Sequence, residues 1–257
     1  MFEDPSLISV ATSLDRDSLH PGDTLRITVT ATNPTDQRVR VRLSDCGCGC
    51  EGGPAFEVRT PDGAVVDGPT GGGCFLLQPE PGELELGPGQ AESAEFIWTA
   101  QKVQCGGDGC YDRSVTPGGY FVVGLLPVWD REALESDPIP IVILPVLTLN
   151  ADVDPPVAAV GDAVNVHVAV TNETNRAVTI PAFSSCRFGV WVMRGDAVVD
   201  FLTDCSTADP EVTLGPKERL EGLARWRASE AGEYEILVQL VWREQPRLRA
   251  LAALQVN

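Results

Sequence analysis

The feature that most constrains this chain is that it contains one unit twice. Residues 22–39 read GDTLRITVTATNPTDQRV and residues 161–178 read GDAVNVHVAVTNETNRAV, aligned without a gap at an offset of 139. Gly22, Asp23, Thr32, Asn33, Thr35 and Val39 recur as Gly161, Asp162, Thr171, Asn172, Thr174 and Val178. Ala64-Val65-Val66-Asp67 returns as Ala197-Val198-Val199-Asp200 at offset 133. Leu86-Gly87-Pro88 returns as Leu214-Gly215-Pro216, and Trp98 as Trp226, both at offset 128. Gly118-Gly119-Tyr120 matches Gly232-Glu233-Tyr234 at offset 114. The order is kept while the offset falls, so the first copy carries longer loops. Self-similarity of this kind marks a repeated structural unit.

Each copy reads as β-structure. Leu25, Ile27, Val29 and Ala31 alternate with Arg26, Thr28 and Thr30, and Val164, Val166, Val168 and Val170 alternate with Asn165, His167 and Ala169. Period two is the signature of a half-buried strand. Val39, Val41 and Leu43 repeat the pattern against Arg38, Arg40 and Arg42. Asn-Pro-Thr-Asp and Asn-Glu-Thr-Asn between these strands are turn chemistry, and Pro61-Asp62-Gly63 and Arg194-Gly195-Asp196 each close a hairpin. A Tyr soon after a Gly, entering a late strand, predicts the tyrosine corner of immunoglobulin-like sandwiches. About seven short strands per copy predict two tandem immunoglobulin-like Greek-key β-sandwiches, an all-β fold, spanning residues 1–144 and 145–257. The boundary falls at Pro145 with no Gly/Ser-rich linker, so a stiff pair is expected. No segment has a helical period, although residues 130–136 have room for one helical turn.

The order strand, Asn33-Pro34-Thr35-Asp36, strand, Pro61-Asp62-Gly63, Leu86-Gly87-Pro88-Gly89, Trp98, Pro117-Gly118-Gly119-Tyr120 resembles the intracellular proteinase inhibitor (BsuPI-like) family of bacterial immunoglobulin-like domains. The second copy matches it through residues 168–174, Leu214-Gly215-Pro216 and residues 231–234. The resemblance implies the sandwich fold and protease inhibition; for an inhibitor, an exposed, disulfide-braced loop such as residues 46–50 or 105–110 is the expected bait. Its motifs are turn and core features.

Charge narrows the partners. The chain of 257 residues has 37 acidic and 19 basic side chains, a net charge of −18. No basic excess exists to displace counterions from phosphates, so nucleic acid is excluded as a general partner. An anionic membrane surface is disfavoured for the same reason. No apolar run reaches the length of a membrane span. Residues 1–144 hold 22 acids and 9 bases, and residues 145–257 hold 15 and 10, so the acidity concentrates in the first copy.

Eight Cys indicate disulfides and an oxidising compartment. The start of the numbered chain has no leader character, so a removed leader and an extracellular or cell-surface location are expected. Cys186 and Cys205 flank the hairpin of residues 190–201 and form one candidate disulfide; Cys50 and Cys74 take the corresponding places in the first copy. Strand 39–43 is expected to end where residues 46–50 begin, and strand 93–98 to end at the same tip beside residues 105–110. That topology gathers Cys46, Cys48, Cys50, Cys74, Cys105 and Cys110. Cross-loop disulfides are the first reading. A metal site on Cys46, Cys48, Cys105 and Cys110 is the sharper alternative. No other cofactor is implied.

Other candidates are few. His20 sits in a turn and His167 on the outward parity of a strand, and neither belongs to a hydrolase motif. No catalytic residue is assigned. Asp15/Asp17 and Asp152/Asp154 offer oxygen ligands for calcium, against the commoner reading of solvated charge. Residues 120–126 are apolar on both parities, so Phe121, Val123 and Leu125 require a cover, either an inserted loop or a partner. The second copy has Glu235, Leu237 and Gln239 there, which read as solvated. Arg38, Arg40 and Arg42 form a basic stripe suited to an acidic neighbouring copy or to a solvated edge. Trp129 is a further contact candidate. These readings converge on a non-enzymatic, extracytoplasmic structural or interaction protein, a candidate subunit of a surface or filamentous assembly. Its expected partner is a protein, other copies of itself included, without membrane insertion. The alternatives are a proteinase inhibitor and a cysteine-based metal-binding or redox protein.

Overall fold

In a computed structural model, residues 4–44, 53–68, 82–106, 109–181, 188–203, 211–240 and 248–257 are described. The chain divides into two compact units, Met1–Leu144 and Pro145–Asn257. Unit 1 contains β1 (Ser9–Leu14), β2 (Ser18–Leu19), β3 (Leu25–Thr32), β4 (Val39–Arg42), β5 (Ala55–Arg59), β6 (Val65–Asp67) and β7 (Glu83–Leu86). It continues with β8 (Ala91–Trp98), β9 (Gln101–Gly106), β10 (Gly109–Ser114), β11 (Gly118–Leu126), β12 (Leu134–Glu135) and β13 (Ile139–Ile143). Unit 2 contains β14 (Leu147–Asp154), β15 (Val157–Ala158), β16 (Ala163–Asn172), β17 (Val178–Pro181) and β18 (Phe188–Arg194). It ends with β19 (Ala197–Thr203), β20 (Glu211–Leu214), β21 (Arg219–Arg227), β22 (Gly232–Leu240) and β23 (Leu248–Val256).

Each unit is a sandwich of two sheets. In unit 1, β1-β3-β8 faces β2-β13-β11-β5-β6, with β12 also paired to β11. In unit 2, β14-β16-β21 faces β15-β23-β22-β18-β19. Short ladders β4-β7 and β17-β20 recur at equivalent places. The period-two residues point inward: Leu25, Ile27, Val29, Ala31, Val164, Val166 and Val170 are fully buried. Leu25, Ile27 and Val29 pack against Val58, Val122 and Ile141, Ala31 against Val41 and Leu126, and the unit 2 residues against Val190, Ile236 and Val238. Residues 130–136 form no helical turn: after a turn near Asp130 they enter β12, which pairs with β11.

The recurring Asn and Thr are more than turn formers. Asn33 is fully buried. Its Nδ2 donates to the carbonyls of Gln37 (2.7 Å), Leu86 (3.0 Å) and Gly87 (3.0 Å), while its Oδ1 accepts from Thr35 N–H and Oγ1. Asn172 repeats this with Arg176, Leu214, Gly215 and Thr174. One amide therefore fastens its own turn to the Leu-Gly-Pro turn. The tyrosine corner is present twice: Tyr120 Oη donates to Thr116 O (2.7 Å) and Tyr234 Oη to Glu230 O (3.0 Å).

Candidate interaction surface

The strand ends expected at one cysteine-rich tip lie at opposite ends of β11. Leu43 bridges Val128, and Ser44 N–H donates to Pro127 O, just beyond the end of β11. The β9-β10 hairpin leaves from the other end, where Val115 N–H donates to Ala100 O before β11 begins. Nine residues of β11 separate them, about 26 Å at strand rise. The physical reason is that β4 is four residues long and pairs with β7, so it does not cross the sandwich; β5 is the returning strand. Cys46, Cys48, Cys50, Cys74, Cys186 and Cys205 lie outside the described residues. Cys105 and Cys110 are Cα partners across the β9-β10 ladder. Among the described residues no group of three or more His, Cys, Asp or Glu forms a metal-ligand cluster. Asp15 is engaged instead by the Arg26 backbone N–H at 2.9 Å, which holds its carboxyl below the usual range. Asp152 caps the N–H of Val153. No helix among the described residues is long and apolar enough to cross a membrane.

The arginine stripe is matched within its own unit. Glu83 and Glu85 stand on β7, across from β4. Arg38 pairs with Glu85 at 2.8 Å and Arg40 with Glu83, while Arg42 lies over the Trp129 ring at 4.9 Å. The stripe is thus a cross-strand charge ladder rather than free positive charge for an acidic neighbour.

The doubly apolar strand is likewise resolved inside unit 1. Val123 and Leu125 are 3% and 4% exposed and pack with Ala55 and Ala133. They are core, not contact residues; Phe121 is half-buried. What seals this outer face is an ion network. Glu57 is the register partner of Val123, and Leu125 pairs with Ala55 on one side and Glu135 on the other. Arg59 on β5 donates to Glu57 (2.9 Å) and, bidentately, to Glu135 on β12 (3.0 and 2.7 Å). Because β5 and β12 flank β11, this network crosses the outer face at the level of Val123.

The Arg59 hydrogen bonds hold the Glu135 carboxyl below the ordinary glutamate range, and the same partners raise the Arg59 guanidinium. A lowered folded pKa stabilises above the ordinary glutamate value and is lost as pH falls through the folded one. Replacing Glu135 by Gln should therefore destabilise unit 1 at neutral pH by under about 1 kcal/mol, given the exposure of Glu135. Urea midpoints of variant and wild type should converge in acid; a gap that is constant with pH would contradict the clamp.

Unit 2 presents different chemistry on the counterpart face. Trp191 stands opposite Leu237, where unit 1 has Glu57 opposite Val123; Met193 replaces Arg59, and Arg249 takes the place of Glu135. Phe201, Trp191, Leu237 and Leu251 are successive register partners across β19, β18, β22 and β23. They form one apolar belt, about 14 Å across at strand spacing. Phe201 is 50% and Leu251 60% exposed, and Val198 adds 55% in the next row. The Trp191 and Phe201 rings lie 4.9 Å apart, tilted by 42°. The absence of a side chain at Gly189 makes room for the indole, since a Cβ there would be 2.3 Å from the ring. The reading of this face as solvated is corrected on two counts: Gln239 is buried and Leu237 half-buried. The clue available in the sequence was the apolar run Val198, Val199, Phe201, Leu202 facing Trp191 across a hairpin.

No protein-family model matches the chain, and no curated protein does. Among solved structures it is similar to red sea bream transglutaminase, at 11% identity and a TM-score of 0.47. That overlap covers 97% of this chain and 31% of that one, so the chain spans about a third of the enzyme's length. It is also similar to the CARDB domain of PF1109 from Pyrococcus furiosus, at 21% identity and a TM-score of 0.29 over 43% of this chain and 94% of that domain. At such TM-scores these likenesses carry no functional argument. The strand order, the registers and the two tyrosine corners define the fold as paired immunoglobulin-like β-sandwiches.

Proposed function

We propose that this chain is a non-enzymatic, extracytoplasmic structural or interaction protein, a subunit of a surface assembly built through protein contacts. The observation that carries the reading is the exposed apolar belt of unit 2. A contiguous aromatic and aliphatic band on an otherwise acidic surface is the composition of a contact site. The counterpart face of unit 1 is crossed by the Arg59 ion network instead, so this aromatic belt is particular to unit 2. The eight Cys support an oxidising location. The inhibitor reading has no such support: Asn33, Leu86-Gly87 and Tyr120, which carry the resemblance, are consumed in the clasp and the corner.

The test is a photo-crosslinking amino acid at position 201 of the full chain, expressed in its native cells. A discrete adduct heavier than the chain is expected. Irradiation that gives no adduct from folded protein overturns the reading.

A further inference from the structure

The belt of unit 2 has charges placed on either side of it. Arg249 lies one row to one side, opposite Gln239 on β22; Glu235 lies one row to the other side, opposite Ala253 on β23. Both side chains are exposed on the same face as Leu251. A two-fold axis running along the belt and lying in the plane of contact exchanges these two rows. It sets belt on belt, and it brings Arg249 of one copy toward Glu235 of the other, twice. A single surface thus holds both halves of its own electrostatic complement, as an isologous interface requires.

We propose that the outer face of β19-β18-β22-β23 is the interface between two copies of this chain, packed face to face around Phe201, Trp191, Leu237 and Leu251. The inference rests on the interaction reading above and names the partner. A second copy is favoured because the charge pattern is self-complementary, and because a chain of net charge −18 repels its own kind unless local opposite charges are matched. The mirrored placement of Arg249 and Glu235 supplies that match. Aligned packing of two such faces is a geometry that β-sheets commonly adopt.

Sedimentation velocity on the full chain, from one to a few hundred micromolar, tests this directly. Wild type should shift from monomer to dimer with concentration. Leu251→Glu should raise the dissociation constant by about tenfold or more, with an unchanged thermal transition at concentrations where both proteins are monomeric, because the side chain is exposed. Glu235→Arg and Arg249→Glu should each weaken association, and the double swap should restore it. A wild type that stays monomeric overturns the inference. So does a dimer indifferent to Leu251→Glu, or a double swap no better than the singles. A position-201 adduct with a different protein, alongside a monomer in the centrifuge, would remove the self-association and leave the interaction reading standing.

Discussion

Replacing Asn172 by Ala is expected to lower the stability of unit 2 by about 3–4 kcal/mol. The side chain is fully buried; its two N–H groups serve three carbonyls, one of them shared, and its Oδ1 accepts two further bonds. Truncation leaves the carbonyls of Arg176, Leu214 and Gly215 without that donor, and leaves Thr174 N–H without its acceptor. An unsatisfied buried group costs about 1–3 kcal/mol, and some of these regain water at the loop surface, which limits the sum. For a unit of this size the loss corresponds to a melting temperature lower by about 15 °C. Asn172→Asp is the sharper probe. It keeps the Oδ1 acceptor but points a carboxylate at three carbonyl oxygens, so it should be worse than Ala at neutral pH. In acid the protonated carboxyl donates one bond, so the Asp variant should recover ground against wild type as pH falls. Calorimetry that finds a loss below about 1 kcal/mol for Asn172→Ala would remove the clasp as the fastening of these turns.

The clasp also marks where sequence reading stopped. Asn33 and Leu86 recur as Asn172 and Leu214, so both ends were visible as repeated motifs. Their contact was not, because 53 residues separate them and turn chemistry explains each end alone. The only signal was that they recur together. Strand interiors were legible because period two is a local consequence of one buried face, as with Leu25 through Ala31. Strand partners were not local. Alternation over 39–43 predicts a strand but not its length or partner, and the expected convergence of cysteines rests on both. Alternating Glu83-Leu84-Glu85-Leu86 against Arg38, Arg40 and Arg42 was the complementary pattern that reveals the short β4-β7 ladder.

The sequence reading also assigned contact to the first copy and a plain surface to the second. The structure dries the outer face of β11 within unit 1 and leaves the unit 2 belt exposed, for a physical reason. An apolar strand on both parities requires only that its outer face be dry, and unit 1 achieves this with charged side chains whose stems and paired heads span it. Arg59 does this by joining Glu57 and Glu135 from two different strands. In unit 2 the strand Phe188–Arg194 is also apolar on both parities as far as Met193. The belt is assembled one residue per strand, and a linear reading does not collect Phe201, Trp191, Leu237 and Leu251 into one row.

Gly124→Ala is expected to cost about 3 kcal/mol in unit 1. The position lies in β11 with ordinary extended backbone, so strain at Gly is not the reason. A Cβ at 124 would stand 2.1 Å from Thr12 Oγ1 and 2.9 Å from Val29 Cγ1. Thr12 is not free to turn aside. Its hydroxyl lies 2.8 Å from Ser136 Oγ, which accepts the Gly124 N–H at 2.9 Å, while Ser136 N–H donates to Gly124 O at 2.9 Å. These bonds tie β1, β11 and the β12-β13 connection at one point, so the added methyl must either part the sheets or break the knot. Gly119→Ala in the same strand meets nothing within 4 Å and should lie within about 0.5 kcal/mol of wild type. Thr12→Ala removes the nearest clashing atom. The double variant Thr12→Ala/Gly124→Ala should therefore be less destabilised than the sum of the singles by more than about 1 kcal/mol. Additive denaturation midpoints, or a Gly124→Ala protein as stable as Gly119→Ala, would show that the two sheets are not held at this point by the Thr12–Ser136–Gly124 knot.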